Sequence, residues 1–314
     1  MKHYFFINPK AGQGKGIDKL IEEIETTAAE LQEEAIICLT ESVEDGITKA
    51  RETAEALQGE PARFYACGGD GTNNEIINGA ADFPNIALGC VPIGTGNDMV
   101  RNFPEAGDFL CIKSQMLGDV KRIDLMKYKG RLNGQMKEGY CVNMFNIGLD
   151  CDVVALTNVL KKKPFIAGSM AYLLAVGGMF LRKKPIHMQL FEDDKLMVDG
   201  EVLLVAIANG GYCGGGMNTS PQSCMNDGVF DLNIIKNVSH AGFLKLFPKY
   251  KTGTHLQVPG IEKVITTKQS RSLVMVPKQK DFNICIDGEI YAAEGQIEYG
   301  MAEGALNFIV PARL

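Results

Sequence analysis

Eight consecutive residues combine glycines with polar and acidic side chains in a pattern that suits nucleotide chemistry. They are Gly68-Gly69-Asp70-Gly71-Thr72-Asn73-Asn74-Glu75, and they directly follow the strand-like run 63–67. The small residues let backbone N–H groups approach a phosphate closely. Asp70 is placed to meet either a metal ion or a ribose hydroxyl. A plain β-turn would explain Asp70-Gly71 but not the whole octet, so we interpret the octet as part of a nucleotide site.

Two further glycine-rich stretches follow strand-like runs. They are Asn8-Pro9-Lys10-Ala11-Gly12-Gln13-Gly14-Lys15-Gly16 and Gly94-Thr95-Gly96-Asn97-Asp98. Ligands of an open α/β sheet bind beyond the carboxyl ends of its strands, so chemistry is expected in such loops. Lys10 or Lys15 would add positive charge for a phosphate. The glycine spacing of the first stretch matches neither the dinucleotide fingerprint nor the P-loop, so a flexible turn is its alternative interpretation.

The second half of the chain contains two Asp-Gly pairs between apolar residues, Asp227-Gly228 and Asp287-Gly288. Asp-Gly in this setting is a strong hairpin-turn signal, and each pair can be a turn, a site or both. Glu289 follows the second pair directly, which predicts an exposed carboxylate. The glycine-rich stretch 210–217 has no clear chemical role and could let the backbone pass close to a cleft.

The elements that must position these residues alternate in type over the first 125 residues or so. Strand-like runs at 4–7, 35–39, 63–67 and 86–91 alternate with helical apolar spacing at 17–31 and 47–57. Ser42 and Asp45 can cap the second helix. Alternation of this kind predicts an N-terminal three-layer α/β nucleotide-binding domain with a parallel sheet.

The chain after residue 126 has a different character. Short strand-like runs separated by turn residues occur at 140–145, 186–191, 202–208, 230–235, 272–276, 282–286 and 306–310. We therefore predict a C-terminal all-β domain, organised as a β-sandwich, over residues 127–299. Two domains also suit the length of 314 residues.

Composition excludes several classes of protein. A net charge of −6 argues against a nucleic-acid partner, which would need a basic surface. Nine cysteines without a Cys-x-x-Cys pair suggest neither a disulfide framework nor a zinc site, and they favour a reducing cytoplasm. The four histidines are far apart in sequence, so they predict no local metal pair. The basic and then apolar start is interrupted by Pro9 and fits no secretory signal.

The uncharged run 165–181 lies between Lys161-Lys162-Lys163 and Arg182-Lys183-Lys184. It is shorter than the roughly 20 residues that a membrane span needs, and its glycines weaken it as a helix. We favour a buried or groove-lining helix, then an interfacial helix, and a transmembrane helix last. We therefore expect a cytoplasmic protein that can work at the inner face of the membrane.

Taken together, the three glycine-rich stretches resemble the diacylglycerol kinase catalytic domain, a family that includes sphingosine, ceramide and bacterial lipid kinases. The resemblance rests on 8–12, 68–75 and 94–98 followed by Arg101, in the order and approximate spacing of the family. It continues through Asn226-Asp227-Gly228 and Asp287-Gly288-Glu289, and so covers nearly the whole chain. In such proteins the last residues return to the first domain, which implies 1–126 joined by 300–314.

The resemblance implies which residues contact ATP. They are Asn8, Pro9, Lys10, Ala11 and Gly12 of the first stretch, Thr40 after the second strand, Gly68, Gly69, Asp70, Gly71, Thr72, Asn73 and Asn74 of the octet, and Thr95. All of them come just after predicted strand ends, which agrees with the expected ligand edge of the sheet.

The resemblance also implies magnesium. Asp70, Asp98 and Asp124 fall where bacterial members have acidic residues that organise the catalytic ion through water, which suits the retained waters of Mg²⁺. A purely structural role is the alternative for Asp124, because it lies in a strand-like run. A second magnesium is implied near Asp227.

The further ligands of this second ion would be the main-chain carbonyls of Cys224 and Val229. Glu289 is implied as the general base that removes the proton of the acceptor hydroxyl. The expected function is therefore transfer of the γ-phosphate of ATP to a lipid hydroxyl at a membrane surface, with diacylglycerol or a related lipid as acceptor. A homodimer is left open.

Two other interpretations of the function remain. An NAD kinase has a similar Gly-Gly-Asp-Gly loop and a two-domain plan, but the block 94–98 favours the lipid kinases. A nucleotide or lipid sensor without turnover would keep the fold, although the presence of both Asp70 and Glu289 argues against it. No residue distinguishes diacylglycerol from phosphatidylglycerol, a sphingoid base or an isoprenoid alcohol.

Overall fold

The computed structural model describes residues 1–104, 106–161, 175, 177–178 and 185–314. The chain divides into two compact units, the first comprising Met1–Leu125 and Glu303–Leu314, the second Met126–Ala302. Most of the uncharged run 165–181 lies outside the described residues, so the interpretation of that run stays a prediction. Among the helices that are described, none is long and apolar enough to cross a membrane.

Helices and strands alternate in the first unit. They are β1 (Lys2–Ile7), α1 (Ile17–Leu31), β2 (Glu34–Leu39), α2 (Val43–Ala56), β3 (Ala62–Gly68), α3 (Asp70–Ala80), β4 (Ile86–Pro92) and α4 (Ile112–Met116), with the beginning of β5 (Asp119–Leu132) and the end of β16 (Glu289–Val310). The strands lie in the order β2, β1, β3, β4 and pair in parallel. Phe308 of β16 then pairs with Leu88 of β4, also in parallel.

This parallel pairing decides where the loops lie. Ile7 is in register with both Leu39 and Cys67, and Gly68 is in register with Pro92. The carboxyl ends of the first four strands therefore share one edge of the sheet. The segments that follow them, which begin at residues 8, 40, 69 and 93, start from that edge.

Side chains of each strand alternate between the two faces of the sheet. On one face the core is formed with α1 and α4 by Phe5, Ile7, Leu20, Ile24, Ala28, Tyr65, Cys67, Val91, Ile112, Met116 and Ile309. On the other face Phe6 contacts Phe64, with ring centroids 5.1 Å apart. Helices α2 and α3 pack closely because Gly79 has no side chain: a Cβ there would lie 2.6 Å from the carbonyl oxygen of Ile47.

The second unit consists mostly of strands. Besides the remaining parts of β5 and β16 it contains β6 (Gln135–Cys141), β7 (Met144–Gly148), α5 (Leu149–Lys161), β8 (Ile186–Glu192), β9 (Lys195–Ala208), β10 (Tyr212–Cys213), β11 (Met217–Asn218), β12 (Phe230–Lys236), α6 (His240–Lys251), β13 (Ile265–Ser270), β14 (Ser272–Pro277) and β15 (Asp281–Ile286). A mixed α/β fold with a β-rich C-terminal part is thus confirmed.

The sheet of the second unit closes on itself. Antiparallel pairs connect β8, β9, β7, β15, β16 and β14 in a ring that returns to β8. Closure is possible because the long strands β9 and β16 pair with different neighbours along their two halves. Large apolar side chains, including Phe145, Met188, Leu232, Met275 and Ile297, fill the core. The arrangement is more barrel-like than the separate sheets of a sandwich.

Single elements of the second unit also differ from the sequence prediction. The expected single strand 140–145 is divided, because β6 ends at Cys141 and β7 begins at Met144. Helix α5 was not expected in a part predicted as all-β, and neither was α6, whose helical pattern is interrupted by Gly242 and Pro248. Helix α6 begins with a cap in which the backbone N–H of Gly242 donates to Ser239 Oγ at 3.1 Å, a contact that favours helix formation.

Candidate active site

Asp70, the first residue of α3, is held by the segment that follows β4. Its carboxylate oxygens accept hydrogen bonds from the backbone N–H groups of Asn97 and Asp98, each at 2.8 Å. The Asn97 amide closes the segment by donating to the carbonyls of Pro92 and Gly94 at 2.8 and 2.9 Å. A carboxylate in the first turn of a helix is also favoured by the helix dipole. The Gly68–Glu75 octet and the 94–98 stretch therefore form one structural site.

The glycines of this site are required by close approach of the backbone. The N–H of Gly94 donates to the carbonyl of Gly68 at 3.0 Å. A Cβ on Gly94 would collide with the Cα of Gly69, and one on Gly96 would collide with the Asp70 carboxylate. This packing leaves only backbone and small side chains where the two segments meet. Such a surface can bring several N–H groups near a phosphate.

Asn8 ties the first glycine-rich stretch to α3. Its Nδ2 donates to Thr72 Oγ1 at 3.2 Å, and its Oδ1 accepts from the backbone N–H of Lys10 at 3.0 Å. Gly12, with a φ of 56°, approaches Ile93 so closely that a Cβ would lie 3.0 Å from the Ile93 carbonyl oxygen. All three sequence-predicted stretches therefore meet at the carboxyl edge of the sheet.

The remaining candidate ATP contacts lie in or next to the same loops. Thr40 lies at the same edge, since its N–H donates to the carbonyl of Ile7 at 2.9 Å. Lys10 and Thr95 are exposed within their loops. The other members lie in the first stretch (Pro9 and Ala11) or in the first turn of α3 (Gly71, Asn73 and Asn74). Their contact with ATP stays a prediction.

Asp98 and Asp124 have different surroundings. Asp98 is buried next to Asp70, and its Oδ1 lies 3.8 Å from the Nε of Arg101. Asp124 is 1% exposed, and its Oδ1 accepts from the backbone N–H of Gly304 at 2.6 Å. Asp124 thus fastens β5 to the end of β16 within the first unit. This contact supports the structural alternative for Asp124, and its catalytic role stays a prediction.

The carboxylates of the candidate site fit magnesium only if the ion is bound through water molecules. Nowhere in the described part of the chain do three His, Cys, Asp or Glu side chains come close enough to hold a metal ion directly. Asp70 is instead a single carboxylate fixed by two N–H donors, which suits an ion that keeps most of its water molecules. The donor set therefore fits magnesium bound through water and does not fit a closed protein cage.

The candidate general base, Glu289, is exposed at the start of β16 in the second unit. The preceding turn has left-handed φ angles at Asp287 (46°) and Gly288 (92°), as expected for an Asp-Gly hairpin. The sequence did not reveal that the Asp287 side chain points inward and is 6% exposed. The turn and its buried aspartate therefore fix the position of Glu289, which is the first residue of β16.

The Asp287 carboxylate joins the turn to the connection between β6 and β7. It accepts hydrogen bonds from the backbone N–H groups of Val142, Asn143 and Met144 at 2.8, 2.9 and 3.0 Å. The Cys141 thiol lies 3.1 Å from the same carboxylate. Burial, reinforced by the Asp287 charge, raises the pKa of Cys141, so the thiol stays protonated and donates. These bonds explain why the predicted strand 140–145 is divided.

The glycine-rich stretch after β9 packs on the same connection. Backbone N–H groups of Asn209 and Gly210 donate to the carbonyl of Asn143 at 2.9 and 3.0 Å. In return, Asn143 Nδ2 donates to the carbonyl of Tyr212 at 2.7 Å, and Asn209 Nδ2 to that of Val142 at 2.8 Å. The stretch therefore has a structural role that the sequence left open: it supports the connection that binds Asp287.

The candidate second magnesium site lies in an exposed turn of the second unit. Asp227 Oδ1 accepts from the backbone N–H of Val229 at 3.2 Å, and the Cys224 thiol donates to Asn226 Oδ1 at 3.0 Å. Burial raises the pKa of neighbouring Asp231, and the negative charge of Asp227 acts in the same direction. Two carboxylates close enough to interact electrostatically suit a cation, and its presence stays a prediction.

An apolar pocket in the second unit was not predicted from the sequence. Ten residues from α5, β9, β12, α6 and the connection before α6 line it: Leu149, Val153, Leu203, Leu204, Ile235, Val238, Phe243, Leu246, Phe247 and Tyr250. Its enclosed volume is about 30 Å³, and the adjoining space open to solvent brings the total to about 500 Å³. The pocket is open to solvent, and its apolar lining suits a hydrocarbon chain.

Comparisons with known proteins agree with this arrangement. The family model of the diacylglycerol kinase catalytic domain matches residues 2–128, and that of the YegS C-terminal NAD kinase beta sandwich-like domain matches residues 143–309. A curated diacylglycerol kinase of Bacillus subtilis (strain 168) is 28% identical over 288 residues, which cover 90% of this chain and 88% of the relative.

A curated diacylglycerol kinase of Staphylococcus saprophyticus is 28% identical over 256 residues, covering 80% of this chain and 76% of the relative. A crystal structure described as a diacylglycerol kinase from Bacillus anthracis str. Sterne matches 98% of this chain and 96% of its own, with a TM-score of 0.70 and 21% identity. At that identity, the likeness to the solved structure establishes a shared fold.

Proposed function

Because the chain belongs to the diacylglycerol kinase family, joining its catalytic domain to a YegS-type C-terminal domain, we propose that it transfers the γ-phosphate of ATP to the hydroxyl group of a lipid. The observation that carries the kinase assignment is the Asp70 carboxylate held between two glycine-rich segments at the carboxyl edge of a parallel sheet. Relatives named diacylglycerol kinase support diacylglycerol or a similar lipid as the acceptor.

Within the first unit, the segments after β1, β3 and β4 would bind the nucleotide. Their backbone N–H groups and the N-terminus of α3 suit phosphate oxygens, and exposed Lys10 adds a positive charge. Asp70 and Asp98 would orient water molecules around magnesium. When bound, the ion would neutralise charge on the phosphoryl group during transfer.

Within the second unit, Glu289 is proposed as the general base. It would accept the proton of the lipid hydroxyl while the hydroxyl oxygen forms a bond to the γ-phosphorus and the bond from that phosphorus to the bridging oxygen breaks. ADP leaves with the electron pair of the broken bond. Glu289 is exposed, so it can release the proton to solvent afterwards.

The apolar pocket supports a lipid rather than a polar acceptor. All ten lining residues are apolar or aromatic, and Phe243 and Phe247 stack with ring centroids 5.4 Å apart. A dinucleotide such as NAD would need polar partners in its acceptor site, which this pocket lacks among its lining residues. We propose that an acyl chain of the acceptor occupies it.

The test is transfer of labelled phosphate from ATP to a panel of hydroxyl lipids in mixed micelles, with NAD as a further acceptor. We expect labelled diacylglycerol or a related lipid, and a loss of turnover of about 100-fold or more in Glu289→Gln. Asp70→Asn should also lose turnover and the thermal stabilisation that ATP gives the wild-type protein.

Each contrary result has a specific meaning. NADP formation would overturn the lipid acceptor, and ATP binding without labelling of any lipid would favour a sensor. Wild-type turnover in Glu289→Gln would remove that residue from the mechanism while leaving the kinase assignment in place.

A further inference from the structure

Helix α6 is basic although the chain as a whole is acidic. The net charge of the chain is −6, yet residues 237–261 contain no Asp or Glu. Three lysines, Lys245, Lys249 and Lys251, lie on or at the end of this helix, and all are exposed. The helix therefore concentrates positive charge on a protein that otherwise repels anionic surfaces.

The helix has two distinct faces. Phe243, Leu246, Phe247 and Tyr250 face inward and line the apolar pocket. On the outer side Leu244 is 62% exposed, more than any other leucine of the described residues except Leu314. An exposed leucine flanked by lysines is typical of a helix that rests on a lipid surface.

Only some lysines of the second unit form ion pairs within the described residues. Lys268 and Lys278 are paired with Glu192 and Asp199. For the three lysines of α6, the described residues provide no ion-pair partner. Their charge is therefore available to an external partner such as an anionic leaflet, which attracts clustered lysines.

We propose that the outer face of α6 docks on an anionic phospholipid bilayer, with Leu244 in the interface and Lys245, Lys249 and Lys251 at the headgroups. A bilayer is favoured over an acidic protein because the lysines surround an exposed leucine and the opposite face of the same helix covers an apolar pocket. This inference rests on the proposed lipid acceptor: a docked α6 would bring the pocket next to the membrane from which the acceptor comes.

The test is co-sedimentation of the full chain with vesicles, in the absence of ATP, using pure phosphatidylcholine and phosphatidylcholine with about 30% phosphatidylglycerol. We expect the wild-type protein to bind the anionic vesicles, and the triple variant Lys245→Glu, Lys249→Glu, Lys251→Glu to bind them at least about tenfold more weakly. Leu244→Asn should weaken binding as well, with the lysines unchanged. A matched control replaces Lys19, Lys121 and Lys129, all exposed and outside α6, by glutamate.

Several outcomes would overturn the proposal. They are wild-type binding by the α6 variant, an equal loss in the matched control, or equal binding of the wild-type protein to both kinds of vesicle. A change in the solution mass of the α6 variant with unchanged vesicle binding would assign the face to a second copy of the chain instead. Phosphorylation in neutral micelles separates this test from the proposed function, because the α6 variant should retain it if docking alone is lost.

Discussion

Asp287 illustrates how much a single buried side chain can organise. Its carboxylate binds three consecutive backbone N–H groups that lie 143 to 145 residues earlier in the chain. Bonds to a charged acceptor are stronger than ordinary hydrogen bonds, and losing one inside a protein is costly. The residue therefore fixes both the β6–β7 connection and the turn before Glu289.

Asp287→Asn should lower the free energy of unfolding by about 1–3 kcal/mol. The amide can still accept at one oxygen, but its NH₂ group would face the N–H that now donates to the second oxygen. Two donors would then oppose each other in a buried site. Chemical denaturation of the variant and the wild type gives the measurement.

The control for this prediction is Asp199→Asn. Asp199 also has three side-chain partners, His187, Gln189 and Lys278, but it is exposed, so water can replace them. Its replacement should cost less than about 1 kcal/mol. Equal losses in the two variants would show that burial of Asp287 is not what makes it important.

For single residues, the sequence predicted roles but not the contacts that position the side chains. The glycine and aspartate pattern at 68–75 suggested the role of Asp70, yet not the two N–H donors that hold it, because Asn97 and Asp98 are close only after folding. Asp287 was interpreted as a turn residue, which agrees with its φ of 46°. Its buried carboxylate gave no local signal. The catalytic and metal-binding roles of these residues stay predictions.

At the scale of elements, the segments after β3 and β4 depend on contact between two glycines. A Cβ added to Gly94 would collide with the Cα of Gly69 and would lie 2.9 Å from the nitrogen of Gly69. A Cβ added to Gly69 would lie 3.4 Å from the Cα of Gly94, which is an ordinary contact distance. The same pair of residues thus offers a severe and a mild substitution.

Gly94→Ala should lower the melting temperature and weaken the stabilisation by ATP, because the segment that holds Asp70 must move. Gly69→Ala should change the melting temperature much less. Thermal unfolding with and without ATP measures both effects. Similar melting temperatures for the two variants would contradict the close approach of these segments.

The elements themselves were predicted unevenly. Strands and helices before residue 100 follow clear period-2 and period-3.6 patterns, and their alternation indicated the α/β part of the fold. Helix α6 was not predicted because Gly242 and Pro248 weaken its helical propensity. In the folded chain, packing of Phe243 and Tyr250 against the rest of the second unit stabilises the helix. The apolar pocket therefore could not be located from the sequence.

At the scale of the whole molecule, the family and the lipid-kinase function were recognisable from a few separated motifs. The sequence placed a boundary at 126 and the return of the chain at 300, and the structure divides at 125/126 and 302/303. Closure of the second sheet was beyond sequence reasoning. It depends on strands β9 and β16 changing partners along their length, which no local pattern encodes.

Stability of the whole protein should decrease as the pH falls from 7 to 5. His3 is 1% exposed, and burial, reinforced by the charge of Arg63, lowers its pKa from 6.5 to about 4. The unfolded chain therefore takes up a proton in this range that the folded protein does not, so acid favours unfolding. Burial lowers the pKa of His255 as well, with the same sign.

The contribution of His3 should be about 2 kcal/mol between pH 7 and pH 5. His3→Phe keeps an aromatic ring against Tyr65 but cannot titrate, so its unfolding free energy should depend less on pH. Denaturation curves at both pH values measure the difference. His240→Asn, at an exposed site, is the control and should keep the wild-type dependence. An unchanged pH dependence in His3→Phe would refute the assignment.

The return of β16 to the first unit has a consequence for how the protein is made. Phe308 completes the sheet beside Leu88, and the N–H of Ala312 donates to the carbonyl of Ser114 at 2.9 Å. A ribosome synthesises these residues only after the entire second unit. The nucleotide-binding unit must therefore wait with an open sheet edge during translation, and chaperones that shield such edges should matter most for this unit.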